Sequence, residues 1–158
     1  MNSYICLDSS VLVKLLVNEE DSDKAALLME TVVNERMTVV LPDFAWAEVG
    51  TVLRKKVVRE LISPEQAAIA WESFNSFGII TFINDVSLMR AAWRIAETEE
   101  LPTLYDAAYL AVAEIVTKQN GKKCEFWTAD QRLVKGLGSR KEYVKLLQTV
   151  NTPPLINV

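Results

Sequence analysis

The sequence predicts an α/β domain, a three-layer α/β/α sandwich around a central, mostly parallel sheet. Three observations predict it. Short β-prone runs are each followed by one or two stretches of helical spacing, which demands crossover connections and therefore parallel strands covered on both faces. Half of the 158 residues are hydrophobic, enough for one core of ordinary size, so residues 1–158 read as a single domain. A chain of this length buries roughly 68–70% of the surface its unfolded form exposes, and it needs no disulfide or structural metal to fold. No internal repeat, low-complexity tract or Gly/Ser linker interrupts the pattern.

The elements follow in order. Tyr4 to Leu7 is β-prone, and Asp8-Ser9-Ser10 before Val11 to Leu16 is the chemistry of a helix start. Asp21 to Arg36 places Ala25, Leu28, Met29, Val32 and Val33 at three- and four-residue spacing, an amphipathic helix. Thr38 to Leu41 reads as a buried strand stopped by Pro42, and Asp43 to Arg59 as a helix with a basic end. Ser63-Pro64-Glu65-Gln66 is a capping box with proline at the first helical position, opening a helix to about Phe77. Gly78 to Ile83 is the third strand and Val86 to Glu99 a helix. Leu101-Pro102-Thr103 breaks the chain before a helix over Leu104 to Lys118. Asn120 to Lys123 is a turn, Cys124 to Trp127 a strand ending in Thr128-Ala129-Asp130, and Tyr143 to Leu147 the last strand.

Composition narrows the chemistry. The chain has no histidine, which removes Ser-His-Asp and Cys-His nucleophiles, imidazole bases and zinc sites that need imidazole. Two cysteines, Cys6 and Cys124, make neither a four-thiolate site nor a disulfide framework, and the chain reads as reduced. The five glycines form no phosphate-cradling loop of the GxGxxG or GxxxxGKS type. The N-terminus lacks the basic and apolar regions of a signal peptide, and no apolar run approaches 18 residues, so the expected location is cytoplasmic with no membrane span. Seventeen Lys plus Arg against 21 Asp plus Glu leave a net charge of −4, hence no overall basic field to gather nucleic acid. Chemistry must rest on carboxylates, hydroxyls, Lys, Arg, Tyr or a hard metal held by oxygen.

Four acids stand out. Ligands of open parallel sheets bind beyond the carboxyl ends of the strands, where Asp8 ends the first strand and Asp130 follows the strand Cys124 to Trp127 by three residues; taken alone, each reads first as a routine N-cap. Glu48 lies on the apolar stripe of its helix, where a buried carboxylate needs a partner from another element, a shifted pKa or a cation. Asp106 opens a helix of small and apolar residues, Ala107, Ala108 and Ala111 among them, that can pack closely on the sheet; its alternative role is to complement the helix dipole. If the four converge, they repel one another unless a cation sits among them, and an all-carboxylate site suits Mg²⁺ or Mn²⁺. Phosphodiester hydrolysis by metal-held water is a reaction that needs no histidine.

At these residues the sequence resembles a PIN domain, and more narrowly the VapC toxin ribonucleases of type II toxin–antitoxin modules. The resemblance spans essentially the whole chain. It is carried by Ile5 to Lys14 around Asp8, by Ala47-Glu48-Val49, by Tyr105 to Ala113 around Asp106, and by Thr128-Ala129-Asp130-Gln131-Arg132-Leu133. It implies an endoribonuclease whose Mg²⁺ or Mn²⁺ is held by Asp8, Glu48, Asp106 and Asp130. Thr128 matches a hydroxyl residue that accompanies the last acid, and Ser9 follows the first; both are equally readable as strand-end hydrogen bonders. The resemblance also implies a homodimer and a VapB-type antitoxin. Trp46, Trp71, Phe74 and Phe77 lie on the two helices that would clip that partner, unless they are core. The candidate RNA-binding patch is Arg54, Lys55, Lys56 and Arg59, unless it only complements a helix dipole.

Other carboxylate families fail on the same residues. A haloacid-dehalogenase phosphatase needs a second aspartate where Ser10 stands, an Asp-x-Ser-x-Ser adhesion site needs a serine where Leu12 stands, and a receiver domain needs an acid adjacent to Asp8. The alternatives from other classes are a non-catalytic RNA- or protein-binding PIN-like module and a solitary RNA-processing nuclease. The presence of all four acids argues against the first.

Overall fold

In the computed structural model, which describes residues 2–151, five strands form one sheet: β1 Tyr4–Leu7, β2 Thr38–Pro42, β3 Ile80–Ile83, β4 Glu125–Thr128 and β5 Val144–Leu146. Every pairing is parallel and the strand order is β3-β2-β1-β4-β5. Tyr4 lies opposite Thr38, and Leu7 opposite Trp127. The order reverses between β1 and β4, and the crevice at that reversal is where an open α/β sheet receives its ligand. Asp8 and Asp130 stand at the carboxyl ends of these two strands.

The helices are α1 Ser9–Leu16, α2 Ser22–Asn34, α3 Ala45–Val58, α4 Pro64–Asn75, α5 Val86–Thr98, α6 Leu104–Asn120 and α7 Gln131–Leu137. α6 lies across β2, β1 and β4 and pairs with α5, while α1 packs on β1 and β4 and against α2, α3 and α4. These are the two helical layers of the expected sandwich. The small residues do what their size allows: Ala107 to Ala113 are all buried, so α6 sits close on the sheet. Central strands carry continuous apolar residues, with Ile5, Cys6, Leu7, Val39, Val40 and Leu41 all buried, as a parallel sheet covered on both faces requires.

Local signals are realised. Ser63 accepts from the Gln66 amide while Gln66 accepts from the Ser63 amide, so the capping box forms with Pro64 at the first helical position. Gly121 ends α6 with φ of 68°, a left-handed conformation that suits glycine. The structure departs from the sequence reading after Asp130. The segment given no element there holds α7 and a short 3₁₀ turn, Gly138–Lys141, too short for periodicity to reveal, and the last strand covers only Val144–Leu146, Leu147 opening a second 3₁₀ turn to Thr149. Pro42, expected to stop its strand, is its last residue, opposite Ile83. Among the described residues no helix is long and apolar enough to cross a membrane.

Candidate active site

Asp8 occupies the N-cap position of α1, yet its side chain makes no cap hydrogen bond. Instead its Oδ2 accepts from Ser10 Oγ at 2.8 Å and from the fully buried Thr128 Oγ1 at 2.8 Å, with Ser9 Oγ 3.5 Å from Oδ1. Two hydroxyls therefore hold a carboxylate that is only 7% exposed. Both also bridge to β4 and its outlet: Thr128 Oγ1 accepts from the Asp130 amide, and Ser10 Oγ from the Ala129 amide. Thr128 is thus a positioning residue, buried behind Asp8. Ser10, which sequence reasoning passed over in favour of Ser9, is the closer hydroxyl. Its place in the second turn-forming position after Asp8 was a signal available in the sequence.

Asp130 does act as an N-cap. Its Oδ1 accepts from the amides of Arg132 and Leu133 at 2.9 and 3.1 Å, which starts α7 and leaves Oδ2 to the solvent side of an exposed residue. The cap and ligand roles are therefore compatible, one for each oxygen. Glu48, half-buried on α3, accepts at Oε1 from the Tyr109 hydroxyl at 2.8 Å. Tyr109 is buried, its ring stacked on Phe126 at 5.6 Å and met edge-on by Phe44 at 6.0 Å, so the hydroxyl is fixed on its target. Tyr109 is the second residue that sequence reasoning missed. Its spacing of three from Asp106 puts both on one face of α6. Asp106 itself is half-buried and receives no side-chain hydrogen bond among the described residues.

The four acids share one electrostatic environment. Burial raises the Asp106 carboxyl from its ordinary 3.8 to about 6, with the charges of Asp8 and Asp130 adding to the rise. Burial likewise raises Asp8 against the hydrogen bonds from Ser10 and Thr128, and Asp130 pushes it further. Glu48 rises by burial against the Tyr109 bond, with Asp8 and Asp106 contributing. None of the ion pairs among the described residues involves any of the four. Among the described residues the cluster is a concentration of negative charge that no direct ion pair offsets.

The donor set fits a hard divalent ion: all oxygen, all carboxylate, with a raised proton affinity at Asp8, Glu48 and Asp106 that an ion would reverse. Among the described residues, however, no group of three or more acids or cysteines stands in a geometry that holds a metal ion. The convergence expected from the sequence is electrostatic rather than a closed cage.

The other predicted residues divide. Trp46, Gly50, Leu53, Arg54, Lys55, Val58, Arg59 and Trp71 line a predominantly apolar groove of about 850 Å³ between α3 and α4, in which none of the four acids takes part. Gly50 permits it, since a Cβ there would meet the Trp71 ring at 3.0 Å. Trp46 is 53% exposed, whereas Phe74 is buried and packed against Trp71 and Phe77, so of the two readings open for it the core one holds. Lys56 pairs with Glu19 and lines a recess other than the groove that Arg54, Lys55 and Arg59 line.

Comparison with known proteins agrees with this architecture. A family model of the PIN domain matches residues 5–135, a span that contains all four acids. The crystal structure of PAE2754 from Pyrobaculum aerophilum superposes with a TM-score of 0.59 at 21% identity, covering 94% of this chain and 91% of that one. At that identity the likeness speaks for the fold. No curated protein matches the chain. The fold, its switch-point acids and the match over most of its length lead to one conclusion: the chain belongs to the PIN domain family, generally a metal-dependent nuclease fold.

Proposed function

We propose that this protein is an Mg²⁺- or Mn²⁺-dependent endoribonuclease and the toxin of a VapBC-type module. The observation that carries the reading is the coupled set Asp8, Glu48, Asp106 and Asp130 at the switch point, in which burial and the neighbouring carboxylates push Asp8, Glu48 and Asp106 toward protonation, and none of the four joins an ion pair among the described residues. The divalent ion would supply charge neutralisation at the scissile phosphate and a water acidic enough to attack it. The chain's own residues supply position. Ser10 and Thr128 fix Asp8, Tyr109 fixes Glu48, and the α7 amides fix Asp130, so these three carboxylates would hold the ion from set positions, with Asp106 the fourth acid beside them.

The partner is a VapB-type antitoxin received by the α3–α4 groove, whose exposed tryptophan and apolar lining suit an amphipathic segment. A homodimer and a cytoplasmic location complete the reading. The test is cleavage of RNA by the protein freed of any antitoxin. Cutting in Mg²⁺ or Mn²⁺ that stops with chelator and in Asp8→Asn and Asp106→Asn supports the proposal. Cutting that survives chelator and both substitutions overturns the mechanism, and RNA binding without any cutting favours the non-catalytic alternative. A short neighbouring reading frame for a DNA-binding protein supports the toxin role over a solitary processing nuclease.

A further inference from the structure

Beside the acid cluster lies a second feature with different chemistry. Ser9, Ser10, Lys14, Val52, Lys56 and Asp130 are among the residues lining a recess of about 300 Å³. The two lysines come from different helices, Lys14 from α1 and Lys56 from α3, and one carboxylate clamps both. Glu19 Oε1 accepts from Lys14 Nζ at 3.3 Å, and Oε2 from Lys56 Nζ; Lys14 Nζ also donates to the Glu20 carbonyl at 2.8 Å. Burial pushes the Glu19 carboxyl up, but Lys56 and Lys14 outweigh it and hold it below its ordinary value, so the glutamate is ionised and the clamp is a full ionic one.

Lys14 and Lys56 face Glu19 at one end of the recess and Asp130 stands at the other, so the recess is balanced as a whole and its lysine end is the positive pole. Each ammonium has three donors. Among the described residues these two make three protein hydrogen bonds of the six they can donate, so three N–H groups on side chains 14% and 19% exposed remain to meet water or a ligand. Fixed, half-satisfied lysines in a recess ask for an oxygen-rich anion. Asp130 closes the same recess on the side of the acid cluster, so an anion there stands next to, and apart from, the reacting centre.

We propose that Lys14 and Lys56 seat a backbone phosphate of the RNA strand next to the scissile one, with Glu19 as the residue that fixes both lysines. This rests on the proposed function for the presence of RNA at the acid cluster. It moves phosphate binding from Arg54, Lys55 and Arg59, which line the apolar groove, to the face of α3 that also carries Glu48. The spacing supports it: Glu48, Val52 and Lys56 recur every four residues and share one helix face.

The test is binding of a short fluorescein-labelled single-stranded RNA, followed by anisotropy against salt at low ionic strength in chelator, where nothing is cut. Lys14→Met and Lys56→Met each weaken binding several-fold and flatten the salt dependence by about 0.7, the increment of one single-strand phosphate contact. Glu19→Gln, which keeps an acceptor for the lysines but removes the opposing charge, tightens binding. Wild-type affinity in the lysine variants overturns the proposal. So does equal weakening in all three variants, the mark of a salt bridge that only joins helices, or the absence of RNA binding by the wild type. Cleavage of the same RNA in Mg²⁺ separates the two readings. Lysine-dependent binding without cutting keeps the phosphate seat and removes the nuclease, whereas cutting with an unchanged KM in the lysine variants does the reverse.

Discussion

Helix α3 presents two faces to two unlike regions. Glu48, Val52 and Lys56 look toward the acid cluster and its lysine recess; Trp46, Gly50, Arg54 and Val58, offset by two residues and so by about 200° around the helix, belong to the apolar groove. The first region is small, charged and held by hydrogen bonds from named donors. The second is large and apolar, with a half-exposed tryptophan at its wall. The difference teaches that one helix can serve an electrostatic site and a hydrophobic one without compromise, because the first needs fixed oxygens and the second needs shape and dry area.

Substitutions that act on one face alone break the comparison most sharply. Asp106→Asn removes a charge from the cluster and lowers kcat for RNA cleavage by about 10²–10³-fold, the scale of losing one preorganised electrostatic contact. Tyr109→Phe leaves Glu48 in place without its donor. Mn²⁺ affinity falls by about 10–100-fold in a metal titration, as for other residues that orient metal ligands. On the groove side, Trp46→Ala weakens capture of the cognate antitoxin by about 30-fold in calorimetry, the loss expected of a tryptophan hot spot. A groove that serves no partner gives no such loss.

The smallest effect is in stability and runs opposite to activity. Asp106 has a raised carboxyl, so the folded state binds its proton more tightly than the unfolded chain does. Its contribution to stability is present in full below about pH 4 and is lost as pH rises through about 6. Asp8 and Glu48 shift the same way. Metal-free Asp106→Asn is therefore more stable than wild type at pH 7, by about 2–4 °C in Tm once solvent screening of this half-exposed group is allowed for, and the gain disappears near pH 4. Thermal melts at the two pH values check it, and Mg²⁺ narrows the gap at pH 7 by stabilising the wild type.

Much of this site was legible before any coordinates. Asp8 and Asp130 were visible because a strand end followed by helix-start chemistry is local, and Glu48 because a carboxylate on an apolar stripe conflicts with its surroundings. What stayed hidden depends on neighbours distant in sequence. Ser10 and Thr128 meet on Asp8 across 118 residues of chain, and Tyr109 reaches Glu48 across 61. The basic patch shows the limit most plainly. Arg54, Lys55, Lys56 and Arg59 are one cluster in sequence, yet helical geometry sends Lys56 to Glu19 and the others to the groove.

The sequence by itself determined the layer architecture, the strand and helix order, the absence of imidazole chemistry and the identity of the four acids, because periodicity, capping and composition act over a few residues. Only the tertiary structure decided that the sheet is parallel throughout, that the acids couple without closing into a cage, and which hydroxyl holds which carboxylate. Those outcomes follow from the register of strands and the packing of helices, and long-range contacts of that kind are set by how the whole core fills rather than by any segment.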